Sequence, residues 1–287
     1  MKRLALLILL VLLSLLRCQA PAEPFALTYS VHLPSVRIGH WSPKKGLGTH
    51  FPELCDARRF GASWQYNWHY DGNLSVCPVE SIPMIYNAHA QSLLVGYWET
   101  LQGNSRYIMG YNEPDRKEQA NLSPEEAAVL WRELEAFYPR KLLVSPAVSH
   151  LDQDWLWRFN DAYHTLYGEA PRIDAVAGHC YYDTCGEFIR CAYGLIHNPW
   201  GAKVWITEFS PVRNGGFDEA LAAPASRCVV RWMENKPEIE RYAWFATRLS
   251  GDEPWVNSVD DWCLLIDHDT NRLTRWGWIY AMGGGDG

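Results

Sequence analysis

Residues 107–116, YIMGYNEPDR, run four apolar side chains (Tyr107, Ile108, Met109 and Tyr111) straight into Asn112-Glu113-Pro114. A short apolar run of this kind reads as a strand buried on both faces. A carboxylate at its end is expensive to bury alone, so Glu113 needs either a structural partner or a task. Just downstream, Ser123-Pro124-Glu125-Glu126 supplies an N-cap, a proline at the first helical position and an acidic first turn, which predicts a helix to about residue 138. Strand, loop and helix together make one β/α unit.

Working outward, the same unit repeats. Candidate strands cover 44–48, 63–68, 82–87, 106–112, 141–148, 173–181, 203–209 and 240–246, with helical patterns near 52–60, 91–101, 123–138, 154–166, 187–196, 217–234 and from about 273. Eight strands alternating with helices imply a parallel sheet in the α/β class. In a chain of 287 residues they fit a single closed (β/α)8 TIM barrel better than a doubly wound sheet. No glycine-rich nucleotide signature follows any strand.

The first residues read as a targeting segment. Lys2 and Arg3 precede an apolar run from Leu4 to Leu16, and Ala20-Pro21-Ala22 has the form of a cleavage site. Residues 1–22 are therefore expected to be a signal peptide and residues 23–287 the catalytic domain. The product would be secreted or periplasmic, with no membrane span. A lipoprotein anchored at Cys18 is the rival reading, which Arg17 fits poorly. Export permits disulfides. Seven cysteines follow residue 22, enough for up to three bonds and one thiol, with Cys55–Cys77 the natural local pair. Cys180, Cys185 and Cys191 lack the C-x-x-C spacing of zinc sites, so no metal and no cofactor are expected.

The net charge is −7 and no basic run extends beyond Lys44-Lys45, so nucleic acid is not an expected partner. A monomer is expected. Fifteen tryptophans and fifteen tyrosines exceed what a core needs. Flat amphipathic rings suit sugar faces, and they equally suit cores and interfaces.

In a barrel, working residues sit where the strands end. Those ends here carry Asn67-Trp68, Tyr86-Asn87, Asn112-Glu113, His179 to Tyr182, Glu208 and Trp244. Two glutamates facing each other across a barrel mouth are what glycoside hydrolysis requires, one to protonate the leaving oxygen and one to attack the anomeric carbon or activate water. The bland alternative is that each glutamate pairs with an arginine such as Arg106 or Arg248. A catalytic acid would further need its pKa raised by burial or by a neighbouring negative charge.

Asn112-Glu113-Pro114 after an apolar strand, followed later by Trp205-Ile206-Thr207-Glu208-Phe209, resembles the retaining barrel glycosidases with acid/base on strand four and nucleophile on strand seven. The ordered set KKGLG, WQYNW, MIYN, YIMGYNEPD, LVSPAV, HCYYD, WITEFS and YAWFA across residues 44–246 is similar to glycoside hydrolase family 128, the endo-β-1,3-glucanases. The resemblance implies a β-1,3-glucan polysaccharide or oligosaccharide as substrate, Glu113 as acid/base and Glu208 as nucleophile. It implies Asn112 on the sugar 2-hydroxyl, and His179 and Tyr181 orienting the nucleophile or the sugar. Trp244 would be a stacking floor, with Asn67, Trp68 and Tyr86 as further substrate-binding residues and Trp255 extending the cleft. Alternatives are another glycanase of the clan (a β-1,4-glucanase or β-mannanase) and a barrel that binds carbohydrate without cleaving it.

Overall fold

The computed structural model of the protein describes residues 39–70, 77–93, 105–212, 218–248, 263–267 and 269–284. The expected signal peptide and Trp255 lie outside the described residues. Eight strands are present: β1 Ser42–Gly48, β2 Ala62–Tyr66, β3 Glu80–Ser81, β4 Tyr107–Met109, β5 Leu142–Val144, β6 Ala175–His179, β7 Lys203–Phe209 and β8 Ile239–Trp244. Seven α-helices accompany them: α1 Asp56–Phe60, α2 Ala88–Leu93, α3 Pro124–Phe137, α4 Trp155–Tyr167, α5 Cys185–Ile196, α6 Glu219–Asn235 and α7 Arg275–Ala281.

Every strand pairing is parallel, in the order β3-β2-β1-β8-β7-β6-β5-β4. The two ends of that sheet meet through a parallel bridge from Met84 to Met109, where the Met109 N–H donates to the Pro83 carbonyl and the Ile85 N–H to the Met109 carbonyl. Among the described residues the sheet is thus closed into an eight-stranded barrel. The stretch 82–87, expected as a full strand, forms no continuous strand, because Pro83 lacks an N–H to extend a ladder; it keeps this bridge and single bonds such as the Asn112 N–H to the Tyr86 carbonyl.

Local chemistry fixes the helices. Ser123 caps α3 with a reciprocal capping box to Glu126, and Thr184 does the same for α5 with Glu187. On α3 the buried residues Ala127, Trp131 and Leu134 recur at helical spacing and face the sheet.

Two hydrophobic layers follow from strand alternation. Inside the barrel lie Trp64, Tyr66, Tyr107, Met109, Ala177 and Trp205 among others. Between barrel and helices lie Ile108, Tyr111, Val176, Ile206, Phe209 and Tyr242 with their helical partners. The interior tryptophans need room, and β1 provides it at Gly46, where a Cβ would stand 2.1 Å from the Trp64 ring. Lys45, 0% exposed, points its ammonium at the carbonyls of His40, Phe60 and Ala281. The one lysine pair of the sequence is therefore not a surface charge patch: Lys44 likewise caps carbonyls of Met233, Glu234 and Lys236.

Among the described residues two disulfides are formed, Cys180–Cys191 and Cys185–Cys228. The expected Cys55–Cys77 bond is not formed. Both remain thiols within side-chain hydrogen-bonding contact, and burial together with that contact pushes the Cys77 thiol up to about 12. Among the described residues, no helix is long and apolar enough to cross a membrane.

Candidate active site

Glu113 lies four residues past the end of β4. Its N–H donates to the Ala147 carbonyl at 2.8 Å, and its backbone stands at φ +41°, a left-handed conformation uncommon for a residue with a side chain. Such strain persists only where the surroundings hold it, and it clusters at functional sites. Asp115 ties the same turn to the segment after β5, accepting the Ser149 N–H at 3.0 Å and the Ser149 hydroxyl.

Glu208 sits near the end of β7. The β6–β7 pairing shifts register between Gly178 and His179, and the β7–β8 pairing shifts between Ile206 and Phe209. Such an irregularity re-aims a side chain. Here Glu208 lines the cleft while Phe209 packs behind the sheet.

His179 joins the two carboxylates. It is 0% exposed, with Nδ1 2.8 Å from Glu113 Oε1 and 3.4 Å from Glu208 Oε2. Its Nε2 is buried without a hydrogen-bond partner, so Nδ1 is the nitrogen that serves the carboxylates. One oxygen of Glu113, one nitrogen of His179 and one oxygen of Glu208 all lie within 4.8 Å of one another. Glu208 accepts two further bonds, from the Trp68 indole N–H to Oε1 at 2.8 Å and from the Tyr181 hydroxyl to Oε2 at 2.5 Å.

The electrostatics differ from the expectation of an acid with a raised pKa. Burial pushes Glu113 up, but the hydrogen bond and charge of His179 outweigh it and hold the carboxyl below its usual range. Burial likewise opposes the charge on His179, and the two carboxylates overcome it, so the imidazole is raised. Glu208 is raised, chiefly by burial, with His179 opposing. Glu113 and His179 therefore titrate as one coupled pair across their 2.8 Å bond.

Two carboxylates and an imidazole are also donors a divalent cation accepts. In this cluster, however, the Glu113 oxygen and the His179 nitrogen face each other, and both Glu208 oxygens already accept bonds from Trp68 and Tyr181. The set fits proton transfer better than ligation.

The glutamates open into a cleft of about 980 Å3. Of the substrate-binding residues expected from sequence, Asn67, Trp68, Tyr86, Asn112 and Tyr181 line it. His179 lies beneath, between the carboxylates. Trp244 is a correction. It is 0% exposed, packed behind the sheet against Phe209, Trp276 and Tyr280, and donates its indole N–H to the Cys263 carbonyl. Ala243 faces the barrel interior, so alternation turns Trp244 outward and brings Phe245 into the cleft in its place.

Trp68 carries a second correction of emphasis: it is mostly buried at φ +59°, stacked on His50 with ring centroids 4.6 Å apart, and its N–H is spent on Glu208. Neither arginine named from the sequence pairs with a glutamate of the site: Arg248 pairs with Asp56 and Arg106 lies over the Tyr107 ring, while the charge of Arg116 in the cleft wall helps to lower Glu113. Sequence reasoning missed His50, Gln119, His150 and Phe245, all in the cleft wall. Only Phe245 had a readable signal, the period of two along β8.

The glycosyl hydrolase catalytic core family matches residues 48–280 of the chain. Alkali-sensitive linkage protein 1 of Schizosaccharomyces pombe is 26% identical over 201 residues, covering 65% of this chain and only 34% of that relative. Among solved structures, a curdlan-specific exo-β-1,3-glucanase of glycoside hydrolase family 128, subgroup III, from Blastomyces gilchristii is 26% identical with a TM-score of 0.67, covering 83% of this chain and 97% of that one. A subgroup I endo-β-1,3-glucanase from Amycolatopsis mediterranei, 23% identical, shares the fold with a TM-score of 0.68 over 85% of this chain and 100% of that one. With the match running from Gly48, the last residue of β1, to Tyr280, one residue short of the end of α7, the chain belongs to the glycosyl hydrolase catalytic core family and is a glycoside hydrolase family 128 protein.

Proposed function

We propose that this protein is a retaining glycoside hydrolase that cleaves β-1,3-glucan, with Glu113 as acid/base and Glu208 as nucleophile. The observation that carries the reading is the close glutamate pair: carboxylate oxygens within 4.8 Å of each other across the His179 nitrogen. Retaining enzymes hold their carboxyl groups about 5–5.5 Å apart, and inverting ones roughly 6.5–9.5 Å to admit a water. The solved relatives from Blastomyces and Amycolatopsis, described as β-1,3-glucanases, support the substrate class.

In the first step a Glu208 oxygen bonds to the anomeric carbon as the glycosidic bond breaks, and Glu113 passes a proton to the departing oxygen. In the second, water attacks the same carbon, Glu113 takes its proton and Glu208 leaves as carboxylate. Trp68 and Tyr181 hold Glu208 in line for attack. His179 shares a 2.8 Å bond with Glu113, so the acid's proton is exchanged within that pair. Asn112, next to the acid, offers its amide to the 2-hydroxyl.

Activity on a panel of laminarin, curdlan, carboxymethylcellulose and mannan tests the substrate, and product lengths separate endo from exo action. Proton NMR of the first-formed product should show retained anomeric configuration. Glu208→Gln should abolish turnover while leaving the fold intact, and Glu113→Gln should spare substrates with good leaving groups. Hydrolysis of mannan or carboxymethylcellulose alone favours the other clan glycanases. Glucan binding with no turnover favours the non-catalytic barrel, and an inverted product defeats the mechanism.

Export belongs to the same proposal. A leader ending at Ala22 predicts Glu23 as the N-terminus of the mature protein. N-terminal sequencing that finds an uncleaved start, or mass spectrometry that finds a lipid on Cys18, overturns the soluble form of it.

A further inference from the structure

The loop after β4 doubles back on the strand it leaves. The Ala120 N–H donates to the Asn112 carbonyl at 3.0 Å and the Leu122 N–H to the Pro114 carbonyl at 2.9 Å. This clasp brings the Gln119 side chain into the cleft wall beside Asn112 and Tyr86. There Gln119 Oε1 accepts twice, from Asn112 Nδ2 at 3.1 Å and from the Tyr86 hydroxyl.

A primary amide offers a donor on one edge and an acceptor on the other, and a half-turn of the side chain exchanges them. Which edge Asn112 turns toward a sugar is therefore decided by what grips its opposite edge. Gln119 is that grip, and Tyr86 in turn fixes the Gln119 oxygen. The other edge of Asn112 is left unmatched: the residue is 4% exposed, and its Oδ1 is buried with no hydrogen-bond partner. An orphaned buried acceptor is costly and calls for a donor from outside the protein. A sugar hydroxyl is such a donor.

We infer that Gln119 is a positioning residue for the reaction: it holds the Asn112 amide so that Oδ1 accepts the hydroxyl beside the anomeric carbon, and it thereby sets how strongly the enzyme requires that hydroxyl. This rests on the β-glucanase reading above. Gln119 acts through Asn112, and Tyr86 acts through Gln119.

The test is a ratio. An aryl β-laminaribioside and its analogue lacking the 2-hydroxyl on the sugar that bears the aryl group are compared by kcat/KM in each variant. Changes in overall charge or in folded fraction cancel within a variant, so the ratio reports the 2-hydroxyl contact alone. Gln119→Leu, similar in size but without an acceptor, should lower the preference for the 2-hydroxy substrate by roughly tenfold, the worth of one hydrogen bond. Gln119→Met repeats the measurement if the leucine variant does not fold. Gln119→Glu keeps an acceptor toward Asn112 and should keep the ratio within about twofold of wild type.

An unchanged ratio in the leucine and methionine variants overturns the assignment, as does an equal loss in Gln119→Glu. Asn112→Ala separates the levels. If it collapses the ratio while Gln119→Leu does not, the glucanase reading stands and the role of Gln119 falls. If wild type cleaves neither laminarin nor the aryl substrate, both fall together.

Discussion

His179 holds its Nδ1 2.8 Å from Glu113 Oε1 in a setting where the imidazole is 0% exposed. That bond makes stability depend on pH in a bounded window. Despite opposing burial, the two carboxylates raise His179 above its ordinary 6.5, so its contribution is full below that value and is lost as pH rises through the folded pKa. Burial raises Glu113 but His179 prevails and lowers it below 4.5, so its contribution is present above that value and is lost as pH falls through the folded pKa. The melting-temperature gap between wild type and His179→Asn should thus peak between pH 4.5 and 6.5. It should narrow on both sides. A gap that is flat across this range would remove the ion pair from the account.

Trp68 was expected among the substrate-binding residues, and its indole N–H ends on Glu208 at 2.8 Å. Trp68→Phe keeps most of the ring against His50 and deletes only the donor. A hydrogen bond to a charged group contributes about 1.5–3 kcal/mol, so kcat should fall by roughly 10- to 100-fold with KM much less affected. A rise in KM at unchanged kcat would return Trp68 to the role of a sugar-binding surface.

Trp244 and Phe245 divide between packing and binding. Trp244→Ala should cost about 3–5 kcal/mol of stability, as large aromatic truncations in a close-packed core do, while the variant that remains folded keeps near-wild-type kcat/KM. Phe245→Ala should do the reverse, because its ring lies in the cleft at right angles to Trp68. Urea unfolding and steady-state kinetics on the two variants measure this, and a Trp244 variant that is stable but inactive would overturn the division.

The barrel was legible because its signals are local. Apolar runs, Ser123-Pro124 and the acidic turn after it each mark an element without help from distant residues. The glutamates were legible for the same reason, each following a short apolar run. What escaped depends on register. Trp244 and Phe245 differ by one position, and a slip of one residue exchanges the two faces of a strand. Glu208 and Phe209 are sorted by an irregularity in the β6–β7–β8 pairing that no residue type announces. Gln119 reaches the site through a backbone clasp between residues 112 and 120, and a clasp of two main-chain groups leaves no trace in side-chain identity. The depressed acid was hidden because the sequence shows that His179 lies beside Cys180, not that it lies between two carboxylates.

The two disulfides should separate stability from catalysis. Cys180 stands between His179 and Tyr181, the two side chains that touch the glutamates, and its bond to Cys191 anchors that strand end on α5. Cys185–Cys228 joins α5 to α6, and neither cysteine lines the cleft. Each bond closes a loop, of 11 and 43 residues' separation, and each should contribute roughly 2–4 kcal/mol of stability. The paired alanine variants Cys180→Ala/Cys191→Ala and Cys185→Ala/Cys228→Ala should therefore both melt at lower temperature. Only the first should lose kcat when both are assayed well below their melting points, since loosening His179 and Tyr181 misplaces the nucleophile, and small misplacements of a reacting group cost up to about 100-fold. If the first pair keeps wild-type kcat, the bond serves the fold alone. If the second pair loses kcat to the same degree, α5 as a whole, rather than the Cys180 anchor, positions the site.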